Sequence, residues 1–85
     1  MDLQQLADEL CRMYENAPRG EQVMMIHLFG IKYATELGGQ SVAAVVDEAG
    51  LSHTYVTEVN KGRNLARYVD LKPQVIDNAR RTLLS

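Results

Sequence analysis

The sequence predicts a single, small, all-α domain of four to five helices. Apolar residues recur at helical spacing along most of the chain, and glycine and proline divide it into helix-sized pieces. No strand-like alternation of apolar and polar residues extends over more than a few positions. The chain has 85 residues, which is enough for one domain and too few for two.

The first helix is predicted over residues 2–17. Leu3, Leu6, Leu10 and Met13 follow one another at intervals of three or four residues, so they lie on one face of a helix. The opposite face is polar and mostly charged. This pattern indicates a helix that packs against the rest of the domain on one side.

The second helix is predicted over residues 18–37, with Pro18 in its first turn and Gly38 as a left-handed C-cap. It is apolar nearly all round, and such a helix is buried on two sides. Either the first helix or a second copy of the chain covers the second side. A homodimer would use three apolar residues as its interface: Met25, Leu28 and Phe29. His27 lies within the wide apolar arc and is interpreted as a core residue.

Shorter helices are predicted for the remainder of the chain. Val42, Val45 and Val46 share one face of residues 42–49, and two further valines share one face of residues 53–61. A short apolar piece follows at about 64–70. Lys72-Pro73 marks the start of a last helix, since proline suits a first helical turn. Two helices therefore precede the pair at 42–61.

The pair of helices at 42–61 has the features of a helix-turn-helix. The turn Ala49–Ser52 is short and contains Gly50, which tolerates positive φ. Leu51 would fill the angle between the helices, and Val56 and Val59 would face inward. Gly62 is expected to end the second helix.

Residues 42–62, VAAVVDEAGLSHTYVTEVNKG, resemble the helix-turn-helix of the Cro and phage-repressor-like family. The sequence departs from that family at Val46, where the family usually has alanine, and in having two helices before the motif. The stretch ENAPRGEQVMMIHLFGIKYA resembles short bacterial proteins with a helix-turn-helix-like domain.

The resemblance implies that residues 53–61 form a recognition helix for the DNA major groove. Ser52 would offer its hydroxyl and free N–H groups to a phosphate, and Glu58 would accept from cytosine. His53, Thr54 and Thr57 would contact base edges, while the basic side chains would neutralise phosphates. The implied DNA-binding residues are Ser52, His53, Thr54, Thr57, Glu58, Lys61, Arg63 and Arg67.

The charge distribution agrees with this implication. The net charge is −2, but residues 1–57 carry −5 and residues 58–85 carry +3. The net charge alone weakly opposes a nucleic-acid partner. A basic C-terminal third on an acidic body is typical either of a solvated surface or of an end that binds a partner such as double-stranded DNA. The predicted function is sequence-specific DNA binding by a small, homodimeric transcriptional regulator. The alternative is a protein-binding adaptor or inhibitor on the same scaffold, without DNA.

Other classes of function have little support in the sequence. No CxxC, HExxH or phosphate-loop spacing is present, so we expect no enzymatic activity, no metal and no cofactor. The single cysteine, Cys11, excludes an internal disulfide and fits a reducing compartment, and we expect a cytoplasmic protein. No apolar run is long enough to span a membrane.

Overall fold

A computed structural model describes residues 1–72 of the chain. Over these residues the chain forms five helices and no strand, which confirms the predicted all-α class. The predicted helix at 73–84 lies outside the described residues. The helices are α1 (Leu3–Glu15), α2 (Gln22–Lys32), α3 (Ala34–Leu37), α4 (Val42–Glu48) and α5 (Tyr55–Leu65).

Helix α1 begins at a capping box. The carboxylate of Asp2 accepts from the backbone N–H of Gln5 at 2.8 Å, and the Gln5 side chain accepts from the backbone N–H of Asp2 at 2.9 Å. Leu6, Leu10 and Met13 of this helix are buried, which confirms the predicted apolar face. The helix therefore begins through local contacts and is held by one packed side.

The second predicted helix is divided in the structure. Residues 18–21 form a turn, in which the Glu21 N–H donates to the Pro18 carbonyl at 2.9 Å, and α2 starts only at Gln22. The helical path breaks at Tyr33, whose hydroxyl donates to Glu9 of α1 at 2.9 Å. The prediction of one continuous helix over 18–37 is therefore wrong. The backbone departs from helical geometry at Tyr33, whose side chain is hydrogen-bonded to α1.

The predicted left-handed C-cap at Gly38 is also wrong. Gly38 has φ −59°, which any residue can adopt, and its N–H donates to Thr35 at 3.1 Å. Among the described residues, positive φ is found at Gly20 and Gly50. Gly38 therefore continues the right-handed turn of α3.

Helix α2 is central to the domain, with α5 as its most extensive neighbour and α1 packed beside it; α1 also packs on α4. Phe29 of α2 is 0% exposed within the single chain. It has no surface to offer a second copy, so its place in the predicted dimer interface is wrong. The chain itself covers Phe29, and a second copy is not needed to bury this side chain. The buried cluster contains Leu6, Leu10, Met13, Ile26, Phe29, Leu37, Val42, Val45, Val46 and Val59.

Two glycines allow α2 and α5 to cross with their backbones in contact. A Cβ atom on Gly30 would lie 2.9 Å from the Arg63 nitrogen and would overlap the Val59 carbonyl oxygen. A Cβ atom on Gly62 would overlap the His27 carbonyl oxygen. Gly62 was predicted to end its helix, yet α5 continues through it to Leu65. The glycine is there because the neighbouring backbone leaves no space for a side chain.

Candidate nucleic-acid interface

The turn after α4 is a Schellman motif. The Leu51 N–H donates to the Val46 carbonyl at 3.2 Å, and the Gly50 N–H donates to the Asp47 carbonyl at 3.0 Å. Gly50 has φ +76°, as the sequence predicts. Leu51 packs on the core immediately after the turn, and Val46 is fully buried. This local geometry turns the chain so that α5 crosses α4.

The second helix of the motif starts two residues later than predicted. His53 and Thr54 lie in the turn, and α5 begins at Tyr55. The Ser52 hydroxyl accepts from the Thr54 N–H at 3.3 Å and shares a hydrogen bond with the Thr54 hydroxyl at 2.9 Å. Ser52 organises the turn and precedes the N-cap position, which is Thr54. All three residues are exposed.

One face of α5 is polar and open to solvent. Thr57, Lys61 and Asn64 are exposed and are spaced four and three residues apart, so they share this face. Val59 and Gly62 face the core, and Tyr55 packs against Tyr14 of α1 with ring centroids 5.6 Å apart. The face combines a hydroxyl, an ammonium and an amide.

Asn64 is a candidate contact that the sequence analysis missed. It was placed beyond the predicted end of the helix at Gly62, but the helix runs on and brings it onto the exposed face. The sequence does indicate this longer helix, because Ala66 follows Val59 and Gly62 at the helical spacing of inward-facing residues.

Glu58 is held between two basic side chains. Its Oε2 lies 2.6 Å from His27 Nε2 on α2, and its Oε1 accepts from Lys61 Nζ at 3.1 Å. The hydrogen bond from His27, and then the one from Lys61, lower the pKa of the Glu58 carboxyl below its ordinary value. Because the carboxylate is ionised and only accepts, His27 Nε2 is the donor.

His27 is therefore not the enclosed core residue that the sequence suggested. Its side chain is 30% exposed and reaches the edge of the α5 face. Glu58, predicted to accept from a base, has both carboxylate oxygens engaged within the protein.

The predicted phosphate contacts differ in how open they are. Lys61 and Arg67 are exposed, whereas Arg63 is half-buried beside the α2–α5 crossing. The Arg67 guanidinium lies 5.3 Å from the centre of the Tyr68 ring. An acidic group lies near the opposite, N-terminal end of α5: Asp47 Oδ1 is 4.0 Å from His53 Nδ1, and both side chains are well exposed. The basic side chains lie on the C-terminal half of α5 or just after it, whereas Asp47 lies at the end of α4.

The other predicted interface is mixed in its exposure. Met25 and Leu28 are half-buried and pack against the core. The exposed apolar side chains of α2 are Val23 and Met24, the latter 51% exposed. The open apolar surface of this helix therefore lies next to the predicted one.

Residues 1–72 contain histidine, cysteine and acidic side chains, the types that can ligate metals or act as nucleophiles. No group of three His, Cys, Asp or Glu side chains in this part of the chain is placed to hold a metal ion. Burial, followed by the neighbouring Glu15, raises the pKa of the Cys11 thiol, which disfavours a thiolate. Helices in the same range are too short or too polar to cross a membrane.

Comparison with known families agrees with the geometry of the α4–α5 pair. The model of a family described as an HTH-like domain matches residues 2–72, and the chain belongs to this family. The match supports a helix-turn-helix domain and does not extend to the Cro and phage-repressor-like family in particular. No significant match was found among curated proteins or among solved structures.

Proposed function

We propose that this protein binds double-stranded DNA sequence-specifically as a small transcriptional regulator of the cytoplasm, with α5 and the turn before it in the major groove. The observation that carries the proposal is the α4–α5 pair, with its Schellman turn and the exposed polar face of α5. In helix-turn-helix proteins the second helix of such a pair lies in the major groove. Membership of the HTH-like family supports the same reading.

The side chains on this surface have the chemistry that base and phosphate contacts need. His53, Thr54 and Thr57 are exposed at the end of α5 that would enter the groove, and threonine methyls can contact thymine methyls. Asn64 adds an amide, the group that pairs with adenine in two hydrogen bonds. Lys61 and Arg67 are exposed cations that would neutralise phosphates.

The test is selection of the purified protein against random duplex DNA at about 150 mM salt, where non-specific binding is weak. We expect an enriched, two-fold-symmetric site with half-site centres about 34–36 Å apart. An absence of enrichment, with only weak salt-sensitive binding, would overturn the proposal.

Two variants separate base reading from phosphate neutralisation. Lys61→Ala should weaken binding to all sequences and reduce the salt slope by about one, whereas Thr57→Ala should change preference at one or two base positions. Lys32→Ala is the matched control, because it removes the same charge from α2 and not from α5. Lys32 Nζ lies 5.1 Å from the centre of the Tyr33 ring, and its charge helps to lower the pKa of Glu9 on α1. Equal effects of Lys61→Ala and Lys32→Ala would contradict the assignment of α5.

A homodimer is part of the proposal, since a two-fold-symmetric site requires a two-fold-symmetric protein. Its surface would include Met25 and Leu28 with the adjoining exposed Met24, and not Phe29. Met24→Glu should shift the protein toward monomer in light scattering. A wild-type protein that stays monomeric at high concentration, with and without its DNA site, contradicts this part.

Binding to another protein is the second candidate function. It is favoured by apolar side chains that remain exposed near the end of α5, where Leu65 and Val69 are each 43% exposed. Val69 lines a groove of mixed polarity, in which Ile31 and Leu71 lie beside polar side chains. If DNA selection fails, this surface is where a partner should be sought.

A further inference from the structure

A contact between α2 and α5 joins the core to the edge of the proposed DNA surface. His27 Nε2 donates to Glu58 Oε2 at 2.6 Å, close to the place where Gly30 and Gly62 bring the two backbones together. The contact lies three residues before Gly30 on α2 and four residues before Gly62 on α5. The hydrogen bond therefore restricts the rotation of α5 about its own axis. It does so close to the crossing at Gly30 and Gly62, where the two backbones are already in contact.

The Glu58 carboxylate is an obstacle to DNA binding unless it is compensated. Glu58 directly follows Thr57 and lies one turn before Lys61, so a free carboxylate here would be close to approaching phosphates. In the structure its side chain is only 22% exposed and is drawn toward α2. Like charges within a Debye length of each other repel appreciably at physiological salt.

The same carboxylate also holds Lys61. Lys61 Nζ donates to Glu58 Oε1 at 3.1 Å, so a phosphate must compete with Glu58 for this ammonium. When Lys61 moves to a phosphate, Glu58 keeps one partner, because His27 donates to its other oxygen. In a protein without His27, the movement of Lys61 to a phosphate would leave the Glu58 carboxylate with no partner.

We propose that His27 is a positioning residue of the DNA interface: from α2 it holds Glu58 away from the groove and allows Lys61 to exchange this carboxylate for a DNA phosphate. The inference rests on the proposed function, because it concerns the same surface. His27 itself does not touch DNA. Its effect passes entirely through Glu58, which makes the role separable from a contribution to folding.

The experiment compares four proteins on the selected DNA site: wild type, His27→Ala, Glu58→Gln and the double variant. We expect His27→Ala to weaken binding about three- to tenfold, through repulsion of phosphates by the unpaired carboxylate. Adding Glu58→Gln should return the affinity to within about twofold of Glu58→Gln alone, because the repelling charge is gone. Circular dichroism at the assay temperature ensures that only folded proteins are compared.

Glu48→Gln provides the matched control, because Glu48 is an exposed acid of α4. It removes the same charge and should change the affinity equally with and without His27. The inference is overturned if wild type binds DNA while His27→Ala binds equally well, or if Glu58→Gln fails to restore the affinity. If wild type itself binds no DNA, the proposed function fails first, and the inference falls with it.

Discussion

Replacing Gly62 with alanine tests the central packing contact of the structure. A Cβ atom at this position would overlap the His27 carbonyl oxygen and lie 3.0 Å from the Gly30 Cα. The overlap with the carbonyl oxygen is the more severe of the two, and relieving it would require α2 and α5 to separate by about 1 Å. The most extensive helix contact in the described part of the domain would then loosen.

Two opposing effects determine the size of the change. Alanine in a helix interior is favoured over glycine by about 1 kcal/mol, which alone would stabilise the protein. Overpacking costs about 1–3 kcal/mol, and a clash with backbone falls at the upper end because no side chain can rotate away. We expect a net loss of about 2 kcal/mol, and a fall in Tm of about 8–16 °C for a domain of this size.

The assay is thermal and urea unfolding of Gly62→Ala beside Gly39→Ala. A Cβ atom on Gly39 would meet nothing within 4 Å, and Gly39 does not have positive φ, so this control should be neutral or slightly stabilising. If Gly62→Ala is as stable as wild type or more stable, helix propensity dominates and the close crossing is refuted.

Three further predictions concern stability. Gly50→Ala should cost about 1 kcal/mol through backbone strain alone, because φ is +76° and nothing lies within 4 Å; an unchanged urea midpoint would contradict the Schellman turn. Asp2→Ala should cost about 1 kcal/mol by removing the capping box, whereas Asp2→Asn should retain most of the stability in the same unfolding assay. Burial, and then the hydrogen bond to Glu9, raise the pKa of Tyr33 to about 12, so the folded state favours the neutral phenol. The associated stability is complete below pH 10 and is lost as the pH rises toward 12; Tyr33→Phe should lose about 1–2 kcal/mol less than wild type over that interval, and parallel losses would refute the assignment.

Much of the fold could be predicted because its determinants are local. The apolar spacing of α1 identifies a helix with one buried face, and Gly50 followed by Leu51 identifies the turn. The exposed hydroxyls of the candidate interface could also be predicted, since they follow that turn directly. The boundaries were less accurate: α5 starts at Tyr55 and runs past Gly62.

The sequence by itself determined the all-helical class and the helix-turn-helix pair, because helix periodicity, capping and positive φ depend on residues within a few positions of each other. Only the tertiary structure decided that Phe29 is covered within the chain, that Gly62 is a crossing point and that His27 holds Glu58. These features depend on which helices meet and at what rotation. Local periodicity leaves both open, because it shows that a face is buried without showing what lies against it.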